Sequence, residues 1–524
     1  MRLTTLFAIP SLVYAAPSLE KRATPRPDPA RAAEVKDAFQ ASWRGYYEHA
    51  FPHDSLRPIS NTSADDRNGW SVTSVDSLST AIIMGDAKIV NQILKYIPEI
   101  DFTTTKQANQ GISVFESTIR YLGGLVSSYD LLKGPMKNLA SKPSEVDALL
   151  KQAQSLADSL SIAFNTTSGV PDGVVYLNPE PRISGADRNS IAGFGTLVLE
   201  WTRLSDLTGN ITYAVLAQKG QAYLLDPSGI PEPFPGLVGH QVGTEDGKFL
   251  DSNGGWGGGT DSFYEYLIKM YLYDPEAFAE YRDRWVLAAD STMEFLASHP
   301  TTRKDLTFLS GYSGNRTYSS SGHLASFAGG NFILGGILLK EEKYLKFGLE
   351  LSESYYQTYH QTASGVGPEG FRWVASAKAP TQNSINEFPP EPQSDFYDKA
   401  GFWATSPGYI LRPETVESLY YAYRATGDRK YQDMAWEGFQ SISKVCRVGS
   451  GFSGIQDVTK ADGGGYNNFM TSFWLAETLK YLYLIFAPES EVQLQANGAN
   501  GFVYNTEAHP IRVRERLVRI GVQG

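Results

Sequence analysis

The feature that most constrains this chain is a tight link that recurs between helical segments. "MGDAKIVNQIL" (84–94), "TGNITYAVLAQ" (208–218), "LKEEKYLKFGL" (339–349) and "TGDRKYQDMAW" (426–436) share one form. A helix ends at Gly or Lys, a short polar turn follows, and a new helix opens on an aromatic or aliphatic anchor. Glycine just past a helix end is the usual left-handed cap, and links this short make antiparallel neighbours. Apolar residues recurring at i, i+3, i+4 and i+7 mark roughly fourteen helices. They start near residues 33, 74, 87, 111, 144, 188, 211, 257, 276, 322, 341, 412, 429 and 470. Strand signals are confined to short stretches near 172–176, 371–375 and 501–505. Hairpins that cannot bury their faces alone must stack on one another. About seven of them fill residues 33–487 with no Pro/Ser-rich linker, so the 524 residues are expected to form one all-α domain.

The two members of a pair differ. Segments 144–163, 276–297 and 341–360 are charged and amphipathic, whereas 188–207, 257–273, 322–338 and 470–487 are apolar nearly all round, as in "SFAGGNFILGGILL". Helices apolar on every face are buried. An inner ring of such helices inside an outer amphipathic ring is an (α/α) barrel, and the sequence favours it over an open stack.

The first residues, "MRLTTLFAIPSLVYAAPSLEKR", place one arginine before a short apolar run that ends in small residues. This pattern predicts a secretory signal peptide, too short to span a membrane. The dibasic Lys21-Arg22 closes a short pro-segment, so residues 1–22 are expected to be removed. Sequons at Asn61, Asn165, Asn210 and Asn315 agree with a route through the secretory lumen or to the exterior. Cys446 is the one cysteine, so no internal disulfide and no thiolate metal site is available. The net charge is −11, with no Lys/Arg-rich run, which argues against nucleic acid or an anionic membrane as partner. A monomer is expected.

Polar residues gather at one end of the inner helices. These open with "SVDSL" (Asp76), "SVFESTIR" (Glu116, Arg120), "GTDSFYEY" (Asp261, Glu265), "SGHLASFAGG" (His323), "RPETVES" (Arg412, Glu414, Glu417) and "SFWLAET" (Phe473, Glu477). Acids in a first turn are also what any helix start favours, by about 0.3–1 kcal/mol each. For Asp76 that plain explanation remains as good as a functional one. It fails for Glu265, Glu417 and Glu477, which follow aromatic and aliphatic residues by a turn and would point into the barrel. Buried carboxylates must be paired or must coordinate a cation. Arg120 and Arg412 are the protein cations in view, and a hard divalent ion with oxygen ligands, above all calcium, is the other. A carboxylate-rich cavity in a chain with 30 Tyr and 9 Trp suggests carbohydrate, and glycoside hydrolysis needs one acid and one base or nucleophile.

The motifs "SVFESTIRYLGGLVSSYDL", "DSFYEYLIKMY", "LRPETVESLYYAYRATGDRKYQ", "SFWLAETLKYLYLIF" and "VYNTEAHP" resemble glycoside hydrolase family 47, the class I α-1,2-mannosidases, and most of all its secreted fungal branch. The resemblance runs over roughly residues 35–511 in the family's order. It implies an (α/α)7 barrel over residues 33–511 with a C-terminal β-hairpin plugging the floor, and a tail from 512 to 524. It also implies calcium dependence, inversion, and removal of terminal α-1,2-linked mannose from high-mannose N-glycans. By motif, Glu116 matches the general acid, acting through a water, Glu414 the general base, and Asp261 the third catalytic carboxylate. Which of Asp261 and Glu414 activates the water is left open. Thr506 matches the calcium ligand, through hydroxyl and carbonyl, with Glu477 and Glu507 holding calcium-bound waters. Arg120, His323, Arg412, Glu417 and Phe473 match positions around the sugar, and Asp76, Glu265 and Glu477 are expected beside them.

Two positions depart from the family pattern. The family's common disulfide is replaced by Ser326 and Tyr355, which predicts a fold less tolerant of heat and denaturant. Gly259 stands where endoplasmic-reticulum-type members carry an arginine, which predicts trimming of several mannoses toward a five-mannose core. Two other readings fit the same residues. One is a mannose-binding quality-control protein with little hydrolysis. The other is a different (α/α)-barrel glycosidase acting on glucan or uronate, which gives no reason for "NTEAHP".

Overall fold

Among the described residues, seven helices line a closed ring and seven more wrap it. The fold is that of a computed structural model, which describes residues 23–376 and 387–514. The expected signal peptide and most of the expected tail, from 515 on, lie outside the described residues. The inner helices are Val72–Ile83, 114–133, 191–208, Asp261–Tyr273, 324–339, Glu414–Thr426 and 474–486. The outer ones are Pro29–His49, Ala87–Tyr96, Pro143–Leu160, Thr212–Leu225, 279–296, Glu342–His360 and Arg429–Cys446. Every start falls within four residues of the one read from periodicity, with Pro29, Asp261 and 474 the most displaced. Each inner helix packs on the next, and the last closes the ring against Val72–Ile83 and against the outer helix Pro29–His49. This is an (α/α)7 barrel.

Burial follows the two patterns of apolarity. Every residue from Thr415 to Thr426 on an inner helix is buried. The outer helix Arg429–Cys446 buries one stripe that includes Tyr431, Ala435, Phe439, Ile442 and Cys446. Each large side chain in such a stripe contributes about 1.5–3 kcal/mol when fully buried. The four quoted links all turn through a residue in the left-handed region: Gly85, Gly209, Lys340 and Gly427. Lysine pays a steric cost of roughly 1–2 kcal/mol there that glycine avoids.

The three strand stretches are present as Val174–Tyr176, Gly370–Arg372 and Phe502–Tyr504. Many more strands of two to four residues sit in the long loops, such as Ser320–Gly322 beside Gly370–Arg372 and Trp403–Ser406. Pieces this short carry no alternation for a sequence to reveal. The C-terminal hairpin pairs Phe502–Tyr504 with Pro510–Arg512. It packs on the inner helices near 123–133 and 261–273 and closes the barrel from below. Arg514 then pairs with Asp206 and Asp274, so ordered packing continues past residue 511.

Candidate active site

The first turns of the inner helices carry the site because the capping groups there are local. Ser113 accepts a hydrogen bond from the Glu116 amide and so fixes the turn that presents Glu116. Helix Glu414–Thr426 begins directly after Pro413, and Leu411 two residues earlier adopts φ 71°. Its carbonyl accepts from the Thr478 hydroxyl at 2.7 Å, which ties this approach to the next inner helix. The stretches Ser117–Leu122 and Trp474–Thr478 are π-helical, a local widening often found at functional sites. Arg120 and Glu477 lie on them.

Together these elements wall a cavity of about 480 Å³. Glu116, Arg120, Asp261, Arg412, Glu414, Phe473, Glu477, Thr506 and Glu507 all line it, as does Gly259. The turn between the two hairpin strands supplies Thr506 and Glu507. A second groove of about 370 Å³, lined by Asn253, Trp256, Tyr318 and Glu369 among others, meets the cavity at Gly258 and Leu324.

The three expected catalytic carboxyls have different surroundings. Burial acts to raise the pKa of Glu414, but the His323 ring at 2.7 Å and the Arg412 charge outweigh it, leaving the carboxyl below its ordinary value. Glu116 is likewise desolvated and yet held low, by Arg120 at 2.7 Å and Arg67 at 3.6 Å. Asp261 is pushed up to about 7, first by burial and then by the charges of Glu265 and Glu414, which prevail over the Ser262 hydrogen bonds. Phe473 lies between the Arg120 and Arg412 guanidiniums, 5.7 and 5.9 Å from its ring centre.

Four expected sugar contacts stand behind this wall. Asp76 is completely buried, 3.6 Å from Arg120 and 3.3 Å from His509, and it does not cap its helix. The cap carboxylate is Asp54, which accepts from the Val72 amide. Glu265 forms a buried ion pair with Lys269. His323 is clamped between Glu414 and the Tyr359 hydroxyl, and Glu417 accepts from Tyr481. Neither Asp76 nor Glu265 lines the cavity in this structure, since His509, Arg120 and Lys269 enclose them.

The cation inventory is also larger than expected. Lys269 and Lys480 are buried among the carboxyls, where Arg120 and Arg412 alone were foreseen. Burial lowers Lys480 to about 7. Glu369 holds Arg412 at 2.7 Å, and it sits in a loop with no sequence signal. Lys269 had one, its i, i+4 spacing from Glu265. His509 lay within a quoted motif.

The floor tests whether a hard cation fits. Glu507 is raised to about 8 by burial, and Glu477 is raised strongly by burial and by the charges of Glu507, Glu414 and Glu417. The Asp76 oxygen that has no hydrogen-bond partner is ion-paired with Arg120 at 3.6 Å. Among the described residues, no three His, Cys, Asp or Glu side chains converge as a ready ligand group. Thr506 offers hydroxyl and carbonyl oxygens at this floor with the Glu477 and Glu507 carboxyls beside it, donors of the kind a hard cation takes.

A helical toroid with acids gathered at one mouth and a floor plug is the architecture of a carbohydrate-active enzyme, here a glycoside hydrolase. The sequence model of Glycosyl hydrolase family 47 matches residues 38–513, and the chain belongs to that family. It is 49% identical over 98% of its length to a mannosyl-oligosaccharide alpha-1,2-mannosidase of Coccidioides posadasii, covering 96% of that protein. With the enzyme of the same name from Penicillium citrinum it shares 50% identity over 94% of each chain. The solved alpha-1,2-mannosidase from Trichoderma reesei superposes with a TM-score of 0.92 at 62% identity, over 93% of this chain and all of that one.

Proposed function

We propose that this chain is an exo-acting, inverting α-1,2-mannosidase that removes terminal α-1,2-linked mannose from high-mannose N-glycans. One observation carries the reading: Glu116, Asp261, Glu414 and Thr506 share one cavity whose floor is the hairpin turn. A cavity closed below admits a chain end and not a chain interior. The names of the family relatives support the linkage and the sugar.

Glu414 is the general base, ionised and oriented by His323 and Arg412. Glu116 and Asp261 complete the trio. The resemblance assigns the acid role to Glu116, yet Asp261 is the carboxyl that stores a proton at neutral pH in the free protein. Arg120, Arg412 and Phe473 would hold the sugar. An inverting enzyme needs a water between sugar and base. Thr506 would hold calcium directly, and Glu477 and Glu507 through water. Bound there, the ion would supply Lewis-acid contact to sugar hydroxyls and neutralise the floor.

Gly259 lines the cavity with φ 87°, and a Cβ there would lie 2.1 Å from His240 Nε2. With no side chain at this rim, the cavity and the neighbouring groove have room for several branches, which supports trimming toward a five-mannose core. The exposed Asn61, Asn165, Asn210 and Asn315 support N-glycosylation, and with the leader they support secretion or residence in the secretory lumen. Among the described residues no helix is long and apolar enough to cross a membrane. We take residues 33–511 as one catalytic domain and the protein as a monomer.

Product analysis on a nine-mannose glycan tests the reading. The wild type should release mannose to a five-mannose end product, and a chelator should abolish release. Glu414→Gln should lower the rate by about 10²–10⁴-fold, the usual worth of a positioned base. Binding without release by the wild type would favour the quality-control alternative.

A further inference from the structure

The turn that carries Thr506 is held by a buried carboxyl that lies outside the cavity. Glu200, on the inner helix Val198–Thr208, is completely buried. Its Oε1 accepts from the Tyr266 hydroxyl at 2.6 Å and from Asn505 Nδ2 at 2.8 Å. The Tyr266 hydroxyl in turn accepts from the Thr506 amide at 3.2 Å. Asn505 organises the rest of the turn: its Oδ1 accepts from the amides of Glu507 and His509, and its Nδ2 also donates to the Ile119 carbonyl. Glycine at 123 makes room, since a Cβ there would sit 2.5 Å from Asn505 Nδ2. On the far side of the turn Lys480 donates to the Ala508 carbonyl at 2.5 Å.

We infer that Glu200 is a positioning residue for the Thr506 turn, acting through Tyr266 and Asn505 as a hydrogen-bond acceptor. A polar group in this core is otherwise costly, and an apolar residue of the same size would pack as well. The other oxygen, Oε2, is buried with no hydrogen-bond partner, which an ionised carboxylate tolerates poorly. Burial pushes the carboxyl up to about 8, consistent with a neutral acid at this place. A neutral acceptor is what glutamine also provides. The functional meaning rests on the reading of Thr506 as the calcium ligand.

The experiment uses the full-length protein with Glu200→Gln, Glu200→Leu and Tyr266→Phe. Calcium is titrated calorimetrically, and amide exchange is followed over residues 505–509. Glu200→Leu and Tyr266→Phe should weaken calcium binding by about 10–100-fold, the usual effect of losing an outer partner of a metal ligand. They should also speed exchange of the Glu507 and His509 amides by at least roughly tenfold, a rise set by loosening of the turn. Glu200→Gln should keep both near wild type. If Glu200→Leu does not fold, Tyr266→Phe carries the test. Folded Leu or Phe variants with wild-type exchange overturn the proposal, and so does a Gln variant as impaired as Leu. A wild type that binds no calcium refutes the reading of Thr506, while the exchange measurement still decides the role of Glu200.

Discussion

At the scale of single residues, two carboxyls of one site are held in opposite states by their neighbours. Glu414 is kept ionised by His323 and Arg412, so the acid limb of kcat/KM should fall below the ordinary glutamate value of 4.5. Asp261 retains its proton to about 7, so a proton it supplies is lost as pH rises through that value. The expected profile is a bell with its alkaline limb near 7. The residual activity of Asp261→Asn should lose that limb, and that of Glu116→Gln should keep it. A limb that disappears with Glu116→Gln instead would return the proton to Glu116. Gly259 is constrained by backbone and by space at once. Alanine there meets a left-handed φ, costing roughly 1–2 kcal/mol, and displaces His240. Thermal unfolding should show Gly259→Ala less stable than wild type, and an unchanged midpoint would mean that His240 yields freely.

At the scale of elements, the positions of the missing disulfide are already filled. Ser326 donates to the His323 carbonyl and accepts from Thr415 at 3.0 Å. Tyr355 packs on Phe308 and Phe371, and its hydroxyl meets Ser321 at 2.7 Å. The sequence alone predicts a weaker fold without the bond. A disulfide contributes about 2–4 kcal/mol, but truncating a buried aromatic costs about 3–5 kcal/mol. The double variant Ser326→Cys/Tyr355→Cys, with its bond formed, should therefore show a denaturant midpoint no higher than wild type. A clear rise would restore the simpler expectation. The π-helical stretches at Ser117–Leu122 and Trp474–Thr478 belong to this scale too, since each carries a charged side chain that lines the cavity, Arg120 and Glu477.

For the whole molecule, ring closure brings carboxyls together faster than it brings cations. Glu417 and Glu507 are each raised to about 8 by burial, against an ordinary 4.5. Below pH 4.5 both are protonated whether the chain is folded or not. Between 4.5 and 8 the unfolded chain gives up protons that the folded one retains, so stability is lost as pH rises through that window and levels off above it. Calcium needs the anionic form, so the gain in Tm on adding it should be larger at pH 8 than at pH 5. Melting scans at both values, with calcium and with a chelator, check this. An equal gain at the two pH values would remove the floor carboxyls from the site.

The helical period and the tight links such as "TGDRKYQ" carried the barrel, its inner and outer helices and the end at which the acids lie. These are local properties, written in spacing, and residues such as Glu116, Asp261, Glu414 and Thr506 could be picked out because they stand in long, ordered motifs. What each of them faces is not local. Glu265 stands a turn into its helix as Glu477 does, yet closure of the ring pairs Glu265 with Lys269 and encloses Asp76 with His509 and Arg120, while Glu477 lines the cavity. Glu200 and Glu369 had no signal, and Lys480, though it stands within "SFWLAETLKYLYLIF", meets a partner 401 residues away at Ser79. Sequence by itself determined the architecture and the acids at its mouth. Only the tertiary structure decided which acids meet the cavity and which hold its walls, because burial and charge pairing exist only once the ring is closed.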